Sequence, residues 1–82
     1  VPKQEAEAQE QMFKAAYYFE NDNYEMGLNG DGNYPGFLDI ISKYKFTKAA
    51  NLSHYYAGIS YLNTGKYDEA ISQLKKFDAD DK

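Results

Sequence analysis

The side chains here that could do chemistry fall in two places. Ser53 and His54 stand side by side in the run NLSHYY, a nucleophile next to the only histidine of the chain. Covalent catalysis would need the imidazole on the serine oxygen, a third group to orient the ring, and donors for a developing oxyanion. Neighbouring residues of a helix point about 100° apart, and no orienting group or donor loop accompanies the pair, so no catalytic residue is assigned and the chain is not read as an enzyme. The second place is Asn29 to Asn33, NGDGN. Asn29, Asp31 and Gly32 fit the third, fifth and sixth positions of a hand-type calcium loop, but Gly27 and Leu38 fall where an acid and a bidentate glutamate belong. Too few charged oxygens remain to offset dehydration of the ion, and the stretch reads as a glycine-rich turn whose polar side chains bond their own backbone. A small-ligand or calcium module centred on Asn29–Asn33 is kept as the alternative class of function; neither a metal site nor a cofactor is expected.

The elements that must carry these groups are helical. Residues 5–20 hold good helix formers without glycine or proline, and their acids gather at the start, where the helix dipole favours them. Asn21, Asp22 and Asn23 break that run. Between Tyr24 and Gly36 stand four of the six glycines, too many for continuous regular structure, although a short helical turn at 24–28 fits before the loop. Pro35 suits a helix start, and Phe37, Leu38, Ile40, Ile41 and Tyr44 continue at helical spacing. Thr47 reads as the N-cap of a helix over 48–63 that Gly65 stops, and residues 67–77 form a last amphipathic helix with acids first and lysines last.

A chain of 82 residues is room for one small domain, here 1–82. Its formal net charge of −4 and nine scattered lysines leave no basic stripe to neutralise phosphates, so nucleic acid is not an expected partner. No apolar run of about 18 residues occurs that could cross a membrane. Val1 in place of an initiator methionine suggests a piece or a processed product, with any anchor lying outside it.

Laid on itself at an offset of 43 residues, the chain places Ala15, Tyr18, Phe19 and Tyr24 on Gly58, Tyr61, Leu62 and Tyr67. The later copy carries small Ala57 and Gly58, then Tyr61, Gly65, Tyr67, Ala70 and Leu74 ahead of an acidic end, and in this it resembles the tetratricopeptide repeat. It departs from that pattern in having His54 at the usual tryptophan position and Phe77 at a late small-residue position. Counting back from the second copy puts Gly36 at the small position of the earlier second helix, which makes 24–34 an inserted loop in a divergent first repeat (5–46), with the second repeat at 47–82. The wording NGDGNYPGFLDIISKY, TKAANLSHYYAGISYL and GKYDEAISQLKKF is also similar to bacterial repeat proteins held to the inner membrane by an N-terminal helix.

The resemblance implies an all-α fold of about four main helices in antiparallel helix-turn-helix pairs, a fragment of a right-handed α-solenoid. It implies a protein or peptide partner, a periplasm-facing, membrane-anchored location, and Val1–Gln9 as the stalk after an anchor. The inner face of such an array would be lined by Met12, Ala16, Phe19 and Glu20 with Tyr55, Ile59, Leu62 and Asn63. Tyr18, Tyr61 and Tyr67 would fill the packing seam. Since two repeats do not close a solenoid, Ile71, Leu74 and Phe77 of the last helix are expected to meet a following helix or a second copy of the chain.

Overall fold

The computed structural model describes residues 3–80, and helix is the only regular structure among them. The elements are α1 (Lys3–Glu20), α2 (Tyr24–Asn29), α3 (Phe37–Lys43), α4 (Lys48–Asn63) and α5 (Tyr67–Lys76). The all-α class and the positions of the four main helices match the expectation from sequence. One difference lies in 24–34: its first six residues are helical as α2, and the irregular stretch is the connection at 30–36. Two devices make so short a helix stand. The Asn23 side chain accepts the Met26 N–H, and Gly30 closes the other end with its N–H on the Met26 carbonyl. Gly27 and Leu28 are buried between, so tertiary packing outweighs the low helix propensity of a glycine.

The offset of 43 residues is repeated in the backbone. Asn23 donates to the Tyr18 carbonyl at 2.8 Å, and Lys66 to the Tyr61 carbonyl at 2.9 Å. Asp22 donates to Phe19 and Gly65 to Leu62, while Gly27 and Ala70 donate to Asn23 and Lys66. The two corners are one left-handed helix stop used twice, with Asp22 at φ 61° where its counterpart Gly65 has φ 80°. A side chain in that region is strained where glycine is not. Asp22→Gly relieves that strain but removes the acceptor of a surface hydrogen bond from the Tyr24 hydroxyl at 3.0 Å, so the expected net gain is small, about 0.5 kcal/mol or less, read as a shift of the urea midpoint at unchanged slope.

Helix α4 is the centre of the domain, in contact with α1, α2, α3 and α5, whereas α5 touches α4 alone among the described helices. Its composition explains how four neighbours come close. The buried residues of α4 are Ala49, Ala50, Ser53, Ala57, Gly58 and Ser60, all small, and its larger Leu52, Tyr55 and Leu62 face outward. Ser53 and Ser60, with no exposure, satisfy their hydroxyls on the Met12 sulfur at 3.3 Å and the Tyr56 carbonyl at 2.8 Å. Around this slim rod lie two clusters. One joins Ala8, Ile40, Tyr44 and Ala49; the other joins Ala15, Leu28, Phe37 and Ala57 and takes in Phe19 and Tyr56. In the second, the Phe37 ring stacks on Tyr56 at 4.9 Å, and Phe19 meets both edge-on at 4.9 and 6.3 Å.

The expected stalk is not separate from the domain. Val1 and Pro2 lie outside the described residues, but residues 3–9 are the opening turns of α1, with Ala8 fully buried. Glu5 there caps a helix far along the chain: its carboxylate accepts the Lys48 N–H at 2.6 Å and the Ala49 N–H at 3.1 Å, both unpaired in the first turn of α4. Burial acts to raise its pKa, but these two donors, with Gln9 and the Lys48 charge, bring it below the ordinary 4.5. The sign follows from linkage: a depressed carboxylate stabilises the fold above its unfolded pKa, and the gain disappears as pH falls through the folded value. Glu5→Gln should cost about 1 kcal/mol at pH 7, and the difference from the native chain should shrink as melts are taken to pH values below the ordinary carboxylate range.

Candidate functional site

The exposed apolar side chains of the second helix pair form a stripe. Leu52, Tyr55, Ile59 and Leu62 recur at three- and four-residue spacing on α4, with Ile59 half-buried and the other three exposed. Helix α5 extends it. His54 Nδ1 and Gln73 Oε1 meet at 2.7 Å on one flank of the α4–α5 pair. At about 100° per residue, Tyr55 and Ile59 emerge on the other flank, as does Ile71, half in water. The α4–α5 contact beneath is close, with Leu74 over Gly58, its Cγ 2.6 Å from where a Cβ would stand.

The residues expected on the partner face divide. Tyr55, Ile59 and Leu62 lie on this stripe, and Asn63 at its end is exposed with its amide donating to the Ile59 carbonyl at 2.9 Å. Met12, Ala16 and Phe19 pack against the core clusters instead, and Glu20 is exposed at the end of α1. The α1–α4 packing consumes Phe19 because Tyr56 and Phe37 need a third ring to fill the space beside small Ala57. The three residues expected at the open end of α5 also divide. Leu74 and Phe77 are half-buried, Leu74 on Gly58 and Phe77 with its ring 5.3 Å from Tyr55, and Ile71 alone of the three is exposed. Tyr18 and Tyr61 are half-buried, but Tyr67 is largely in solvent. Leu52 was missed, although it stands three residues before Tyr55 and so on the same side of the helix.

The two places where chemistry was conceivable are occupied with structural work. Ser53 is buried against Met12 while His54 turns to Gln73, so the pair shares no hydrogen bond. Asp31 spends both oxygens on the fold: Oδ1 accepts the N–H groups of Asn33 and Tyr34 at 2.9 and 2.8 Å, and Oδ2 accepts the Tyr18 hydroxyl at 2.7 Å. The Tyr18 bond, then the two backbone donors, lower the Asp31 pKa, while the same bond raises that of Tyr18. Asn29 turns its amide back to the Glu25 carbonyl. Among the described residues no three His, Cys, Asp or Glu side chains gather as a metal site would require, and no helix is long and apolar enough to cross a membrane.

Compared with protein-family models, curated proteins and solved structures, the chain matches none. The functional reading therefore rests on the geometry of the surface.

Proposed function

We propose that this chain is a binding scaffold of tetratricopeptide-type helix pairs that holds another protein against the stripe of Leu52, Tyr55, Ile59 and Leu62 on α4, continued by Ile71 on α5. The observation that carries the reading is the inverted distribution of size on α4. The fully buried positions of α4 are all small, and although Tyr56 and Tyr61 pack on the core, Leu52, Tyr55 and Leu62 stand in water along one side. Isolated exposed leucines are ordinary on any surface; a row on one side of one helix marks a contact site. Helix α5 adds to it, since α4 is its sole neighbour among the described helices, which leaves its outer side for a following helix or a second copy of the chain. An amphipathic helix laid along the stripe would bury these side chains at the usual three- and four-residue spacing.

Leu62→Ser with Ile71→Ser tests this. Each side chain is already about half in water, so the pair should cost only about 1 kcal/mol per site. Loss of co-purifying protein from the native cells at nearly unchanged stability is the expected result. Retention of the same partners by the double variant would refute the reading.

A further inference from the structure

On the opposite flank of α4 an open cleft of about 530 Å³ lies between the end of α3, the start of α4 and the end of α5. Its volume is in the range of ligand pockets, roughly 300–1,000 Å³. Ile41 and Ala50 supply apolar lining, Lys45 and Lys76 bring cations from two sides, and Phe46 stands on the rim. Phe46 is unfavourable twice over for the isolated chain. Its ring is fully exposed, and its backbone has φ 71°, a region that disfavours a bulky side chain. The ring makes no internal contact, and the backbone only turns the chain from α3 into α4, where the Thr47 N–H donates to the Tyr44 carbonyl at 3.2 Å, a turn that glycine would make without strain. A residue held in strain without internal contacts points to a contact outside the chain.

The charges say which kind. The chain carries a net −4, yet this cleft presents Lys45 and Lys76 against one acid, Asp78. Asp78 is itself engaged: its Oδ1 accepts the Asp80 N–H at 2.9 Å, and its backbone is pinned by the Asn51 amide through two bonds of 2.8 Å. That clamp holds the chain to α4 just two residues after Lys76, which lines the cleft at the end of α5. We infer that the cleft binds an acidic peptide segment carrying a large apolar side chain, which packs on Phe46 while its carboxylates face Lys45 and Lys76. Screening over about 8 Å at physiological salt confines the interaction to the groups around the cleft, where two cations stand against one carboxylate. An extended anionic membrane would meet the acids of α1 as well and is disfavoured. The site is separate from the α4 stripe and stands or falls independently of it.

The test is fluorescence anisotropy with a panel of labelled, end-capped peptides, two glutamates on either side of a central pair drawn from leucine, phenylalanine and tryptophan. At least one should bind, and Phe46→Gly or Lys45→Gln with Lys76→Gln should weaken it tenfold or more. Phe46→Gly should at the same time raise the melting temperature by roughly 4–8 °C, which separates lost binding from lost folding. Binding that these variants leave unchanged, equal binding of the glutamine versions of the peptides, or binding to phosphatidylglycerol vesicles without peptide binding would each overturn the proposal. So would a panel that shows no binding at all.

Discussion

Phe37→Ala is expected to cost about 3–5 kcal/mol, as for other fully buried phenylalanines. The ring has no exposure, stacks on Tyr56 at 4.9 Å, and joins Phe19 in bridging α1, α3 and α4. A domain of 82 residues has about 4–12 kcal/mol in total, so the variant should be partly unfolded at 37 °C. Urea unfolding followed by circular dichroism measures it. Phe13→Ala is the internal comparison: that ring is 76% exposed, and its loss should move the midpoint by no more than about 0.5 kcal/mol. Equal costs at the two positions would mean that the aromatic cluster is not the core.

Gly36→Ala is expected to cost about 2–4 kcal/mol, a large effect for one added methyl. Gly36 is the N-cap of α3, where its N–H donates to the Asp39 carboxylate at 3.1 Å. Its extended backbone suits any residue, so conformation is not the obstacle. The obstacle is room: a Cβ would fall on the Leu28 carbonyl and 2.5 Å from the Gly30 nitrogen, and backbone cannot rotate away as a side chain can. The α2–α3 connection would have to open, exposing Leu28 and Phe37. Gly32→Ala in the same loop meets nothing within 4 Å, and its cost, about 1 kcal/mol, comes only from φ 91°. Thermal melts of the two variants should differ by roughly 4–24 °C.

Much of the fold was legible because its signals are local. Thr47 reads as a cap and is one, its Oγ1 accepting the Ala50 N–H at 3.0 Å; Gly65 reads as a stop and adopts φ 80°. The offset of 43 residues, seen as a weak match of aromatics, corresponds to a repeated corner down to individual hydrogen bonds. What was not legible depends on tertiary company. The short turn read at 24–28 does form, as the helix 24–29, but its weight in the fold was hidden, because it contains a glycine that only burial against α1 makes worthwhile. Hydropathy could not tell that α4 turns its small residues inward, because alanine and serine at buried positions look like filler until four neighbouring helices are in place. For the same reason Phe19, at a position suited to a partner face, went to the core instead. Gly36, placed by counting at the small position of a second helix, serves as a cap; Gly27 is the small residue that meets α1, its Cβ position 3.4 Å from the Ala15 carbonyl. Phe46 gave no periodic signal, sitting alone between a helix end and an N-cap.

The central claim is that the outward row on α4 is a protein contact. Site-specific photo-crosslinking in the native cells tests it most directly, with a benzophenone amino acid placed at Tyr55 or Leu62 and, as control, at Ser42, which is exposed on α3. A discrete cross-linked species at both α4 positions and none at Ser42 is the predicted result. Absence of any product from the α4 positions, or the same products from Ser42, would contradict the account.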